Sequence, residues 1–309
     1  KGVEESMKIA IFGGSGFIGR NLSKSLSQAG EEVFIFSRKN SLPSDLAGLS
    51  NVRLISNSKP FTESIDGMDV LINLAGESVI GERWTKERMA ALRASRVDFT
   101  KEIISAIGNV KIKPKAFLQG SAIGFYGMHE GATPVFSEKD KCGEDFLAKL
   151  CLDWESEALR AKEFGVRTVL LRTGIVLSPE SGALEKMLLP FKMFVGGPLG
   201  NGKQYMSWIH IKDMVGAIQF LISHPTAEGP FNLTSTKPCS NEDFSSVLGR
   251  VLGRPSFMKV PEFSLKALYG DGADVILKGQ NVIPAKLIAL DYQFQFPELK
   301  TALENLLIT

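Results

Sequence analysis

Tyrosine is scarce in this chain, four residues in 309, and none of the four is followed four positions later by lysine. Those places hold Glu130, Ile209, Ala273 and Phe296. The chain therefore lacks a Tyr-x-x-x-Lys pair, in which an ammonium one helical turn away lowers a phenol's pKa toward neutrality. Cysteine is scarcer still: Cys142, Cys151 and Cys239 are far apart and form no Cys-x-x-Cys. That excludes a disulfide framework and fits reduced thiols. His129, His210 and His224 have no partner at metal-ligand spacing, so no metal site is expected. No Gly-Lys-Ser/Thr occurs, which disfavours a P-loop ATPase. Long apolar runs are missing too; 168–171 and 215–222 fall far short of the about 20 residues a bilayer requires. Charge of one sign is also lacking. With 36 Lys and Arg against 34 Asp and Glu, the net charge is +2, and no polybasic field argues for nucleic acid or an anionic membrane. These absences leave a cytoplasmic protein acting on a small molecule, as a monomer or a homodimer. Residues 1–6 have no apolar signal core and precede Met7; they read as an expression leader or a short upstream extension.

Apolar residues make up 44% and charged residues 23%, the proportions of an ordinary globular protein. Near the amino terminus an apolar run, Ile9 to Phe12, empties into Gly13-Gly-Ser-Gly-Phe-Ile-Gly19, and an amphipathic helix follows to about Gly30. Strand, glycine turn and helix form the setting of a dinucleotide fingerprint. Gly13 makes the tight turn, Gly16 admits a pyrophosphate, and Gly19 lets the helix pack on the strand. The first helical N–H groups, here around Ser15, Phe17 and Ile18, then face the phosphates.

Further strand-like runs lie at 32–38, 52–55, 68–76, 115–121 and 167–172, with helix-periodic stretches at 85–108 and 144–164 between them. This alternation predicts an α/β fold, a Rossmann doubly wound parallel sheet with right-handed crossovers. Ligands then sit at the strand ends: Gly13 to Gly19, Ser37-Arg38, Leu74-Ala75-Gly76, Gly120-Ser121 and Arg172-Thr-Gly174. Residues 7–180, with 205–235 returning to them, are expected to form the cofactor domain. Residues 181–309, irregular from about Gly182, are expected to form a smaller α+β lobe over the substrate. Helices are expected at 211–224 and 241–252, the second capped by Ser240 or Asn241.

An acidic residue that would hold the adenosine ribose is expected at the end of the second strand. Ser37-Arg38-Lys39 stands there instead. A hydroxyl and two cations accept a 2′-phosphate, which an acid would repel, so NADP(H) is expected rather than NAD or FAD.

These residues resemble the extended short-chain dehydrogenase/reductase superfamily, through the glycine turn, Asn73-Leu-Ala-Gly76, Ser121-Ala-Ile-Gly-Phe-Tyr-Gly127 and Trp208-Ile-His-Ile-Lys-Asp213. A narrower set is Asn73 to Glu77, Arg83-Trp84, Arg93-x-Ser-Arg96, Gly196-Gly-Pro-Leu-Gly200, Ser207 to His210 and Gly279-Gln-x-Val-Ile-Pro284. It is similar to the atypical, sugar-nucleotide-epimerase-like proteins with their own short C-terminal domain, some of which are labelled cell-division inhibitors. The resemblance spans residues 7–307. It implies an NADP-dependent epimerase or oxidoreductase acting on a small or sugar-nucleotide-like substrate. The superfamily's catalytic Tyr-x-x-x-Lys is the departure. Aligning Glu155 with the family's glutamate puts Leu147 and Cys151 in the tyrosine and lysine places.

The resemblance leaves Ser121 in the serine role and Tyr126 as a displaced phenol, or else a pocket-lining tyrosine. Glu77 is a substrate contact or a loop carboxylate. Arg93 and Arg96 bind an anionic substrate group or form ion pairs. His210 is a proton shuttle or a buried brace between the lobes. Cys151 lacks an identifiable base and reads as core, and Lys149 lies off the lysine register. A catalytically weak NADP-binding regulator or sensor is the competing function.

Overall fold

The structure, a computed structural model, describes residues 6–56, 61–131 and 133–308, with the Ser56 side chain excluded. Residues 1–5 of the expected leader lie outside that range. Seven parallel strands form the central sheet: β1 (Lys8–Phe12), β2 (Glu32–Ser37), β3 (Val52–Ser56), β4 (Val70–Asn73), β5 (Ala116–Ala122), β6 (Arg167–Thr173) and β7 (Gly229–Leu233). Their order is β7-β6-β5-β4-β1-β2-β3, so the chain reverses direction across the sheet between β1 and β4. That reversal opens a crevice at the carboxyl ends, where a doubly wound sheet takes its ligand.

Why the strands read as unbroken apolar runs is visible in their faces. Ile9, Ile11, Val33, Ile35, Ile72, Leu118 and Leu171 pack on one side, under α1 (Phe17–Gln28) and a later helix, Ile211–Ser223. Ala10, Phe12, Phe34, Phe36, Leu71, Phe117 and Leu170 pack on the other. Side chains alternate across a strand, and here both faces are covered, so both alternation positions are mostly apolar and the polar ones are hydrogen-bonded. The seventh strand was not among the runs expected, because Gly229 and Pro230 dilute its apolar signal.

The helical stretch at 85–108 is not one regular helix. Thr85 caps α2 (Lys86–Arg93) by accepting from the Arg88 amide at 3.2 Å. A π-helical turn, Ala94–Asp98, then leads into α3 (Phe99–Asn109). Asp145 caps α4 (Phe146–Leu159), which tightens to a 3-10 turn, Arg160–Phe164, and stops at Gly165.

The stretch from Gly182 is more regular than expected: α5 (Gly182–Lys192) forms despite Pro190 in its last turn. With α6 (Ile211–Ser223), α7 (Asn241–Leu252, capped by Ser240) and α8 (Leu299–Leu307), it completes the carboxyl-terminal part. Leu184, Phe191, Trp208, Phe244, Leu248 and Leu303 make a separate core there. Residues 279–284 tie that part to the sheet. Gln280 Nε2 donates to Gly127 O, Ser207 Oγ donates to Gln280 O, and Asn232 Nδ2 donates to Ile283 O, all at 2.7–3.0 Å. Among the described residues no helix is long and apolar enough to cross a membrane, and no cluster of His, Cys, Asp or Glu could hold a metal.

Candidate active site

A cleft of about 340 Å³ opens at the strand ends between the glycine turn and α4. Its first wall is backbone. Gly13 sits at φ +79, and a Cβ there would stand 2.9 Å from Ala75 N and from Leu74 C. A Cβ on Gly19 would lie 2.3 Å from Gly13 O, so the start of α1 can approach the turn only as glycine. Gly16 caps α1 without any side-chain bond. The N–H groups of the first helical turn therefore have no intrahelical acceptor and face the cleft, with the positive end of the helix dipole behind them. Gly13, Gly16, Phe17, Ile18 and Gly19 all line this space. A cradle that a single methyl would fill suits a diphosphate.

Ser37 closes the far end of the turn, its hydroxyl 3.2 Å from Ser15 Oγ, and it accepts from the Lys39 amide at 3.0 Å. Arg38 is exposed beside it and has no ion pair or hydrogen bond among the described residues. On the opposite side Leu74 and Gly76 line the cleft. Asn73 shapes that turn: its side chain accepts from the Ala75 amide and donates to Thr100 Oγ1 and Gln119 Oε1 at 3.0–3.1 Å. Thr100 Oγ1 in turn accepts from Trp154 Nε1 at 2.9 Å, which fixes the indole in the cleft wall.

The second wall carries Ser121, Leu147, Cys151 and Trp154. Leu147 and Cys151, four apart on α4, both face the cleft, so one helical face presents a methyl group and a thiol. Burial, with the Glu155 carboxylate nearby, pushes the Cys151 thiol up to about 12. It stays neutral and is neither a nucleophile nor a cation at physiological pH. Ser121 Oγ donates to Glu155 Oε1 at 2.7 Å, which commits its proton and leaves the oxygen as an acceptor.

Beneath this wall runs a buried polar network. Arg172 grips Glu155 with two bonds of 2.8 Å, from Nε and Nη2, and its Nη1 donates to Tyr126 Oη at 3.0 Å. Tyr126 donates to Asn232 Oδ1 at 2.7 Å, and the Asn232 amide donates to Glu138 Oε1 at 3.0 Å. Arg172 also stacks over the Phe125 ring, 3.4 Å from its centroid. The network joins β5, β6, β7 and α4 where Ser121 and Arg172 face each other in register.

This placement corrects the reading of Tyr126 as a displaced phenol. The ring is 1% exposed, stacks on Phe136, and does not line the cleft. Burial pushes its hydroxyl up to about 12 although Arg172 pulls the other way. Arg93 is likewise drawn away, into an exposed ion pair with Asp153, and it is Arg96 that enters the cleft. Glu77 lies at the rim with its carboxylate taken by Arg88. His210 is fully buried at the start of α6, where Nδ1 accepts from the Lys212 amide at 3.0 Å and the ring stacks on Phe296 at 4.0 Å. Burial and the Lys212 charge push it down to about 4, so it braces the fold as a neutral ring and does not reach the cleft.

Sequence reasoning missed the Glu155–Arg172–Tyr126–Asn232 network as a unit. A strand arginine flanked by apolar residues, Leu171 before it, was the available signal, since buried arginines are paired. A second cavity of about 210 Å³ also went unseen, because its walls converge from distant segments. It is walled by Ile175, Met187, Gln204, Tyr205, Ile276 and Lys278. Ile80 and Ile175 in its lining follow Val79 and, two positions on, Thr173 of the cleft, so the two spaces draw on the same wall segments.

Comparison with known proteins matches this geometry. Residues 9–234 fit the NAD dependent epimerase/dehydratase family, and residues 260–306 fit a domain of unknown function, DUF1731. The chain is 35% identical over 308 residues to the Arabidopsis thaliana "Epimerase family protein SDR39U1 homolog, chloroplastic", covering 98% of this chain and 88% of that protein. It is 36% identical over 302 residues to the Bacillus subtilis "Epimerase family protein YfhF", covering 97% and 98%. The crystal structure of human epimerase family protein SDR39U1 (isoform 2), determined with NADPH, superimposes with a TM-score of 0.85 at 30% identity, covering 97% of this chain and 99% of that one. The seven-stranded sheet, the glycine cradle and these matches place the chain in the NAD dependent epimerase/dehydratase family, among the SDR39U1-like atypical short-chain dehydrogenase/reductases.

Proposed function

We propose that this protein binds NADP(H) in the cleft and acts as an epimerase-like or oxidoreductase-like protein on a small or sugar-nucleotide-like molecule, without a tyrosine acid. The observation that carries the cofactor assignment is the backbone cradle at Gly13–Gly19 with Ser37 and Arg38 at the end of β2. Residues 13–19 hold the diphosphate by backbone N–H groups, and Leu74, Ala75 and Gly76 form the opposite edge. Arg38 selects the 2′-phosphate by charge and planar stacking. A nicotinamide dinucleotide bound there supplies hydride chemistry. The chain's own residues orient the reactants: Ser121 Oγ offers a fixed acceptor, and Leu147 and Trp154 keep water from the reacting end. The 210 Å³ cavity accommodates the body of the substrate, between the cofactor unit (7–180 with 205–235) and the remainder of 181–309.

A second reading, an NADP-dependent regulator or sensor with little turnover, is favoured by Leu147 and Cys151, since neither can give a proton at neutral pH. Calorimetric titration tests the cofactor claim. NADP(H) should bind with micromolar or tighter affinity, and Arg38→Ala should weaken it about tenfold, 1.4 kcal/mol, with NAD unchanged. Equal affinities for NAD and NADP in the parent protein would refute the role of Arg38. A carbonyl-substrate screen read at the nicotinamide absorbance separates the two functions, and no turnover of any compound selects the sensor.

A further inference from the structure

Among the described residues Arg96 is the one cation that lines the cleft, and its hydrogen bonds leave a pair of donors over. Arg96 stands in the π-helical turn Ala94–Asp98 and lines the cleft; such turns recur at functional sites. Nη1 donates to Leu92 O at 3.3 Å and to Ser95 Oγ at 3.4 Å, and Nη2 donates to Glu77 O at 2.8 Å. A guanidinium has five N–H donors. With three bonds made, from Nη1 twice and Nη2 once, the Nε–H and one Nη2–H have no acceptor among the described residues. Among the described residues no carboxylate pairs with Arg96 either: the nearby Glu77 is engaged by Arg88 and Arg93 by Asp153.

The side chain is held flat as well as inward. The guanidinium lies against Gly76, where a Cβ would stand 3.2 Å from Cζ, and 5.3 Å from the Trp154 ring centroid on the other side. A side chain at Gly76 would therefore push the guanidinium aside by a few tenths of an ångström. Burial pulls the guanidinium's pKa down, yet an arginine remains charged. A desolvated charge without a counter-ion is costly, and a bidentate fork matches the two oxygens of a carboxylate or phosphate.

We propose that Arg96 is a binding residue for an oxyanion of the substrate, a carboxylate or phosphate, held beside Ser121 and Cys151 at the reacting end of the cleft. This rests on the cofactor reading above and adds to it a substrate class: the molecule acted on is an anion. Its charge is met by the Nε/Nη2 edge, and its remaining atoms extend toward the second cavity. The alternative acceptor is the diphosphate of the cofactor, whose cradle lies across the cleft at Gly13–Gly19.

The test uses the full chain, with oxalate and inorganic phosphate as probes. Calorimetry of the NADP⁺-loaded parent should detect one or both anions. Arg96→Met should weaken that binding at least tenfold, and Arg96→Lys should give an intermediate loss because the charge remains without the fork. NADP⁺ affinity should stay within threefold in all three proteins. A tenfold loss of NADP⁺ affinity in the Arg96 variants would overturn the proposal and assign the fork to the cofactor. Anion binding equal in parent and variants, or absent from the loaded parent, would overturn it too and leave the cofactor reading intact. A parent protein that does not bind NADP⁺ removes both. Should Arg96→Met fail to fold, phenylglyoxal labelling of the loaded parent decides: oxalate or phosphate should slow modification of Arg96 at least fivefold, and no protection overturns the proposal.

Discussion

The two ends of the cleft are built in opposite ways. The glycine end is made of backbone: N–H groups at the start of α1, a turn at φ +79, and a close approach that only glycine permits. It depends on few side chains. The reacting end is made of side chains over a buried ionic network, and its cleft-facing positions are an alcohol, a leucine, a thiol and an arginine. The first end can hold any nucleotide diphosphate. The second decides what chemistry follows, and in this chain it offers a fixed acceptor and a fixed cation but no phenol or ammonium. The backbone cradle and the side-chain wall are therefore separable parts of the cleft.

That contrast can be broken most forcefully at the glycine end. Gly19→Val places a branched side chain where even a Cβ meets Gly13 O at 2.3 Å. NADP(H) binding should fall by roughly a hundredfold or more in calorimetry, about 2.7 kcal/mol. Binding retained within tenfold would mean that the turn is not the cradle. At the other end the largest effect should be on folding. Glu155→Gln leaves Arg172 buried without its counter-ion, and urea unfolding should register about 3–5 kcal/mol lost. Tyr126→Phe removes a hydroxyl shared by Arg172 and Asn232 and should cost only about 1–3 kcal/mol, with NADP(H) affinity unchanged. A stable Tyr126→Phe protein with altered turnover of any substrate would return the phenol to the chemistry.

A pH dependence is expected from outside the cleft wall, small at any one pH near neutrality. His210 is held near pKa 4 in the folded chain against about 6.5 when unfolded. Below pH 6.5 the unfolded state takes up a proton that the folded state refuses, so stability falls with falling pH by up to about 1.4 kcal/mol per unit, down to pH 4. His210→Asn should flatten that window in urea titrations at several pH values. An unchanged slope would show that His210 binds its proton equally in the folded and unfolded chain.

Much of the architecture was open to inference from the chain alone. β1, the glycine turn and α1 are consecutive in sequence, and their spacing carries the argument. The six expected strands all lie in the sheet, because doubly covered strands leave unbroken apolar runs. Counting along α4 from Glu155 put Leu147 and Cys151 at the tyrosine and lysine places, but Cys151 was read as core, and its position in the cleft wall comes from the fold. For Arg93 and His210 the sequence left two readings open, and the structure takes the ion pair and the buried ring; for Tyr126 it takes neither the displaced phenol nor the pocket lining. Each side chain is held by a partner remote in sequence: Tyr126 by Asn232, Arg93 by Asp153 and His210 by Phe296.

What the sequence determined by itself is local: strand, glycine turn, helix, and the absence of a phenol–ammonium pair. Those properties depend on steric limits and spacings within a few residues. The place of Arg96 in the cleft wall, the engagement of Ser121 by Glu155 and the wall segments shared by the two cavities were decided only by the fold. They depend on residues from 77 to 278 converging at the strand ends, with Arg96 in a π-helical turn. A one-residue shift in a helix rotates a side chain by about 100°, and no count along the chain reveals where that shift falls.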